Sequence, residues 1–276
     1  MRLRHILVDM TSPSANLALE AALVLAKRDQ ANVTGLFAYD GVEAILGMTG
    51  YMDAATVDLL IKDAEDAAAA KAAEARRNFD GPLQRDGITG ECLQEEGNVA
   101  SAFEQHARCA DLTVFARCRE DDLPISLAEA VLFGSGRPIL VLPPVMQQPL
   151  SVDHVMIGWN GGREAARAVA DALPLLRDAK SVRLVSIEPR EDMKSGERSA
   201  QRLIRHLSFH GVTATAMTLT SVGVGPEELL LNAASESGAG LLVIGGYGHG
   251  RFREFVLGGV TRDLMRRATL PVLLSH

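Results

Sequence analysis

Five short apolar segments occur twice in this 276-residue sequence, and both sets follow the same order along the chain. The residue types correspond within each pair, as in His-Ile-Leu-Val at 5–8 and His-Val-Met-Ile at 154–157. The other pairs are 32–37 with 181–186, 87–90 with 211–214, 110–114 with 239–243, and 138–142 with 271–275. Ordered self-similarity of this kind indicates a duplicated structural unit. The sequence therefore predicts that both halves fold in the same way.

Two differences in spacing between the halves fall in connections between these segments. The first half has 25 extra residues between its second and third segments, and the second half has four extra between its fourth and fifth. Connecting loops tolerate such insertions. Pro143, Pro144 and the polar stretch 147–149 indicate a short linker. We therefore predict two domains, at residues 1–146 and 151–276.

The repeated segments are rich in Val, Ile and Leu, as is typical of strands buried on both faces. Helical patterns lie between them, for example at 52–77, 162–176 and 198–209. Alternation of strand and helix predicts parallel sheets covered by helices on both faces. The predicted fold class is α/β, with two tandem, doubly wound, five-stranded Rossmann-like sheets. Ligands of such sheets bind at the carboxyl ends of the strands, near the switch in strand order.

A glycine-rich segment follows the fourth strand of the second half, 241–244. Glycines without Cβ atoms let backbone N–H groups approach a phosphate closely, and the helix predicted over 260–267 presents an anion-binding N-terminus. No Gly-Lys-Ser/Thr sequence follows, so the segment is not a P-loop. The alternative is a flexible turn before a helix. The candidate phosphate contacts are Gly245, Gly248, His249, Arg251, Gly258, Gly259, Val260 and Thr261.

Composition narrows the class of partner and the compartment. A net charge of −7 argues against nucleic acid or an anionic membrane as the main partner, while a nucleotide can still be bound by backbone N–H groups. No apolar stretch approaches the roughly 20 residues of a membrane span. Three cysteines without paired spacing do not indicate a disulfide framework. We expect a cytoplasmic protein that binds a nucleotide.

The spacing of Gly245, Gly248 and Gly258 resembles the nucleotide-binding signature of the universal stress protein family. The closing 270–274 segment and the 222–229 segment are similar to that family too, as are 4–8 and 136–141 in the first half. The resemblance covers nearly the whole chain, as a tandem member. It implies an adenine nucleotide alpha hydrolase-like fold, a role in stress response, and binding of ATP with Mg²⁺ accompanying the phosphates.

The resemblance also implies contacts outside the glycine-rich segment. Trp159 and Asn160 stand where ATP-binding members often carry an Asp that contacts the ribose, and Asn can still hydrogen-bond hydroxyls. An equally weighted alternative for Trp159 is a packed aromatic at a domain edge. Ile187 is placed to touch the adenine, with Val222 or Gly223 nearby.

One residue departs from the family pattern. Gly259 stands where the signature has Ser or Thr, so a hydroxyl that could bond a phosphate is missing, although the backbone N–H remains. Thr261, two residues further on, could partly substitute. In the first half the matching loop, 116–124, has no glycine and carries three consecutive acids, which repel phosphate. We therefore expect one nucleotide site, in the second half.

The leading hypothesis is a tandem universal stress protein that binds one ATP and acts as a sensor or regulator, with hydrolysis weak or absent. The alternatives are a slow ATPase or nucleotidyl transferase on the same fold, and an interaction scaffold that binds no nucleotide. We identify no catalytic residue and no metal site, because His206 with His210, and His106 with Cys109 and Cys118, lack a convincing ligand pattern. Pairing of 139–142 with 272–274 would make the chain an internal pseudo-dimer, and a dimer of such chains is also compatible.

Overall fold

A computed structural model describes residues 2–41, 53–118, 123–221, 223–247 and 259–276. The strands are β1 His5–Asp9, β2 Asn32–Tyr39, β3 Gly90–Glu96, β4 Leu112–Ala116, β5 Ile139–Leu142, β6 His154–Gly158, β7 Ser181–Glu188, β8 Ala214–Thr220, β9 Leu241–Gly245 and β10 Val272–Ser275. The helices are α1 Ala15–Asp29, α2 Ala54–Asp86, α3 Val99–Arg108, α4 Leu123–Ser135, α5 Arg163–Leu176, α6 Met193–Phe209, α7 Pro226–Glu236 and α8 Gly259–Arg267, with a 3-10 turn at Arg190–Asp192. Strands and helices alternate, as predicted for an α/β chain.

All ten strands belong to one sheet, in the order β3-β2-β1-β4-β5-β10-β9-β6-β7-β8. The strands run parallel within each half, and β5 pairs antiparallel with β10 at the centre. The predicted doubly wound fold is confirmed, and the predicted pairing of the two fifth strands is present. This pairing joins the two five-stranded sheets into one and satisfies two strand edges that separate domains would leave open.

The strand registers of the two halves correspond residue by residue. His5 lies opposite Asn32 in the first half, and His154 lies opposite Ser181 in the second, where each residue is 149 positions further along the chain. The same register places Asp9 of β1 at the position that Gly158 occupies in β6. The duplication read from the sequence is therefore a duplication of three-dimensional structure.

The helix ends differ from the predicted ones where tertiary packing intervenes. Helix α2 continues nine residues beyond the predicted end at Arg77, through Gly81 and Pro82. Phe79 and Leu83 on this extension are almost completely buried. By intrinsic propensity, a glycine and a proline disfavour a helix here. The free energy gained by burying the two apolar side chains outweighs that cost.

The core consists of two apolar layers, one on each face of the sheet. Successive strand residues alternate between them: Ile6 and Val8 face one layer and Leu7 faces the other. Both layers contain residues from both halves, for example Ile157 in the first layer and Met156 in the second. The central strands are buried on both sides, so their carboxyl ends and the turns that follow are the places where the sheet can offer a ligand site.

Candidate nucleotide site

The strand order of the second half reverses between β6 and β9. Strand β6 is flanked by β7 on one side and by β9 on the other, and Gly158 at its end lies opposite Ile244. Because these strands are parallel, their carboxyl ends share one edge of the sheet. Four predicted site residues lie at this edge or in the turns that leave it, namely Trp159, Asn160, Ile187 and Gly245. Gly223 follows β8 at the same edge, with a φ of 70°.

The turn after β6 is held by its own side chains. The backbone N–H of Trp159 donates to the Val185 carbonyl at 2.9 Å, which extends the ladder with β7. Its indole Nε1–H donates to the Ser199 hydroxyl in α6 at 3.0 Å, and its ring packs against the core. Asn160 is exposed, and its side-chain oxygen accepts the Gly162 N–H at 2.9 Å. Trp159 therefore has a packing role here, and its predicted contact with a ribose stays a prediction.

Gly245 lies where the end of β9 meets the start of α5. A Cβ added at this position would lie 2.4 Å from the Ala165 backbone N and 2.5 Å from the Glu164 carbonyl carbon. The absence of a side chain is thus required by the approach of a helix. The close contact also brings the N-terminal turn of α5 to the carboxyl end of β9, beside the predicted phosphate segment.

Tyr247 and Thr261, on either side of positions 248–258, are joined by a hydrogen bond. Tyr247 adopts a left-handed backbone conformation, with φ 54°, and its N–H donates to the Thr261 hydroxyl at 3.0 Å. Thr261 is buried, so its hydroxyl already joins the two ends of the segment. Gly259 begins α8, and Val260 follows it in the first turn. The predicted contacts Val222, Gly248, His249, Arg251 and Gly258 lie outside the described residues.

A buried carboxylate stands in the first turn of α5. Burial by itself would raise the pKa of Glu164, but the hydrogen bond from Arg163, at 2.6 Å, and the backbone N–H at the helix start outweigh it and hold the pKa below its ordinary value. The carboxylate is therefore charged and paired at a helix N-terminus, where negative charge is favoured. Sequence reasoning did not select Glu164, because its burial depends on the approach of Gly245.

The first half carries a carboxylate where the second half has Gly158. Asp9 is completely buried at the end of β1, and its Oδ1 accepts N–H groups of Thr11 and Ser12 at 2.8 and 3.3 Å. Its Oδ2 has no partner among the described atoms. Burial raises the pKa of Asp9 to about 6. The corresponding edges of the two halves therefore differ in chemistry, in addition to the differences in their loops.

A further set of residues that sequence reasoning missed comes from the first half. Tyr247 and Arg262, on either side of the undescribed segment, both contact Glu129 of α4. In the sequence, Tyr247 lies between two glycines and gives no sign of a contact of its own. Glu129 is more than 100 residues away in the sequence and gives no local signal of this contact.

A family model described as the universal stress protein family matches residues 151–276. The second half of this chain belongs to the universal stress protein family. The resemblance read from the glycine spacing and the closing strand is therefore confirmed for this half. Among curated proteins, none matches the sequence.

The universal stress protein fold extends over both halves. Over its whole length the chain is similar to a universal stress protein from Archaeoglobus fulgidus DSM 4304, with a TM-score of 0.74 and 16% identity, covering 100% of this chain and 99% of that one. It is also similar to a protein of unknown function from Pseudomonas aeruginosa PAO1, with a TM-score of 0.61 and 16% identity, covering 99% and 92%. At these identities the likeness shows the fold alone, in a tandem arrangement.

In the described ranges, no group of three His, Cys, Asp or Glu side chains is arranged to hold a metal ion. None of the described helices is long and apolar enough to cross a bilayer.

Proposed function

We propose that this tandem universal stress protein binds one molecule of ATP, accompanied by Mg²⁺, at the carboxyl edge of its second half. The observation that carries the proposal is that the turn after β6, the end of β9 and the start of α8 lie at the switch in strand order, where the hydrogen bond from Tyr247 to Thr261 joins β9 to α8. This is where open α/β sheets bind their ligands. The response to ATP is regulatory, with the protein acting as a sensor in the cytoplasm during stress.

The ends of the segment suit an anion. Helix α8 begins at Gly259, so the N–H groups of its first turn point toward the site, where the helix dipole favours negative charge. A Cβ at Gly259 would meet no atom of the described residues within 4 Å, so this part of the structure leaves the backbone open to a phosphate.

Titration calorimetry of the intact chain with ATP and Mg²⁺ tests this proposal. We expect saturable binding of one ATP per chain, since only the second half has the glycine-rich segment. The single tryptophan, Trp159, lies in the turn after β6 and gives an independent fluorescence signal. An absence of binding at millimolar ATP would overturn the proposed function, and two equivalent sites per chain would contradict the assignment to one half.

Gly259→Ser is expected to tighten ATP binding about fivefold, or roughly 1 kcal/mol, because a hydroxyl–phosphate hydrogen bond involves a charged acceptor. The open space around Gly259 lets the side chain enter without displacing a neighbour. Calorimetric Kd values of the two proteins measure the effect. Gly259→Ala adds the same Cβ without the hydroxyl and is the matched control. If both variants bind equally, the missing hydroxyl is not what limits affinity.

A further inference from the structure

One carboxylate of the first half contacts the residues on both sides of the glycine-rich segment. The Tyr247 hydroxyl, one residue before position 248, donates to Glu129 Oε1. Arg262, in the first turns of α8, donates from Nε to Oε1 at 2.9 Å and from Nη2 to Oε2 at 2.8 Å. Paired guanidinium–carboxylate bonds of this kind fix geometry as well as adding energy. We call Glu129, Tyr247 and Arg262 the clamp.

Packing supports the clamp on the side of the tyrosine. Phe133 lies one helical turn after Glu129 on α4, and its ring centre is 4.6 Å from that of Tyr247. Helix α4 therefore contacts Tyr247 at both its hydroxyl and its ring. On the other side of Phe133 lies His276, whose Nδ1 is 3.0 Å from the Gly246 carbonyl oxygen. The turn that leaves β9 is thus built against a helix of the other half.

The charges in the clamp are maintained by their neighbours. Burial alone would raise the pKa of Glu129, but hydrogen bonds from Arg262 and Tyr247 outweigh it and hold the pKa below its ordinary value. Burial, together with the hydrogen bond to Glu129, raises the pKa of the Tyr247 hydroxyl, so that it stays protonated as a donor. Only 13% of the Glu129 side chain is exposed, which limits screening of its pairing with Arg262 by solvent.

The two halves contribute different residues to the clamp, because the repeat has diverged at these positions. Glu129 lies ten residues before β5 and Arg262 lies ten residues before β10, so they occupy equivalent places in the two halves. Two identical acids or bases at these places would repel each other, whereas the chain has one of each. The residue equivalent to Tyr247 in the first half is Cys118, two positions after the end of β4. A phenol reaching across the junction is therefore contributed by the second half.

From these contacts we propose that the first half regulates the nucleotide site of the second half, with Glu129 acting as a positioning residue. The proposal rests on the proposed function. Glu129 fixes Tyr247, after β9, and Arg262, at the start of α8, and both of these elements lie at the proposed nucleotide site, so an intact junction between the halves favours nucleotide binding. Coupling of this kind is reciprocal, and bound nucleotide stabilises the junction to the same extent. A partner or condition that opens the junction releases the nucleotide.

Glu129→Gln in the intact chain is expected to weaken ATP binding about tenfold, because the amide cannot accept both arginine hydrogen bonds as a charged group does. Calorimetric Kd values measure the change. Asp80→Asn is the matched control, because it also removes one carboxylate, and Asp80 pairs at the surface of α2 with Arg76, one turn earlier in the helix; it should leave the Kd within about twofold. Tyr247→Phe removes only the hydroxyl and should give a smaller loss in the same direction.

Charge exchange separates positioning from general damage to the fold. Glu129→Arg and Arg262→Glu each place like charges together, and each should weaken ATP binding by about tenfold or more. The double variant restores an ion pair across the junction and should recover most of the affinity. Loss of affinity in the double variant equal to the product of both single losses would overturn the clamp.

Hydrogen exchange of the nucleotide-free protein distinguishes failure of the clamp from failure of the proposed function. We expect faster exchange in peptides covering 241–247 and 259–267 in Glu129→Gln, and no change there in Asp80→Asn. Faster exchange without any ATP binding by the unmodified protein overturns the proposed function and leaves the clamp in place. Unchanged exchange and an unchanged Kd in Glu129→Gln overturn the clamp, while ATP binding stands.

Discussion

Gly245→Ala is expected to lower the free energy of unfolding by about 3 kcal/mol, at the upper end of the usual cost of overpacking. The added methyl carbon would lie 2.4 Å from a backbone nitrogen and 2.5 Å from a carbonyl carbon of α5. These are main-chain atoms, which cannot rotate away as the end of a side chain can. The helix and β9 would have to separate along their contact. Urea denaturation of the intact chain, followed by circular dichroism, measures the loss.

Gly259→Ala is the control for that experiment. The same methyl group at the start of α8 meets none of the described atoms within 4 Å, so it should leave stability unchanged or raise it slightly through helix propensity. Equal stabilities of the two variants would contradict the assignment of Gly245 to packing. The pair also shows why one glycine-rich segment needs its glycines for different reasons at its two ends.

That difference marks a limit of the sequence argument. Gly245 and Gly259 were both read as residues that let a phosphate approach, because a glycine in the sequence shows only that a side chain is absent. Which neighbour occupies the space is a property of the fold. At Gly245 the neighbour is the first turn of α5, and this contact depends on a helix more than 80 residues earlier in the chain.

The fold itself was largely predictable, for a physical reason. Strands buried on both faces are continuous apolar runs, and their repetition in order carried the architecture of the first half over to the second. The pairing of β5 with β10 was also predictable, because Ile139–Leu142 and Val272–Leu274 would each be an open strand edge if left unpaired. What local pattern could not supply was the length of α2, where Phe79 and Leu83 extend the helix by burial.

The candidate site was predictable only in part. The turns after parallel strands share an edge of the sheet, so the sequence could predict that Trp159, Asn160 and Ile187 lie at the carboxyl ends of β6 and β7. Their contacts with a nucleotide remain predictions. The clamp was invisible to sequence reasoning, since Glu129 and Arg262 are brought together by the pairing of the two halves and not by any motif. Local patterns report neighbours along the chain, while junctions between repeats depend on pairs that are distant along it.

Asp9→Asn should remove a loss of stability that the natural protein suffers as pH rises. Burial raises the pKa of Asp9 to about 6 from an ordinary value of 3.8. Below about pH 3 the side chain is protonated in both the folded and unfolded chains. As pH rises, the unfolded chain ionises first and is stabilised, so the free energy of unfolding falls by up to about 3 kcal/mol once pH exceeds 6.

Asparagine does not ionise, so the variant lacks this loss. Its stability relative to the natural protein is therefore expected to increase by about 3 kcal/mol between about pH 3 and pH 7.5. Urea denaturation of both proteins across this range measures the difference, and the value at low pH serves as the internal reference for effects of the amide itself. A difference that stays constant with pH would mean that Asp9 ionises as readily in the folded chain as in the unfolded one. It would then carry a negative charge at the edge of the first half, at the position where the second half has Gly158.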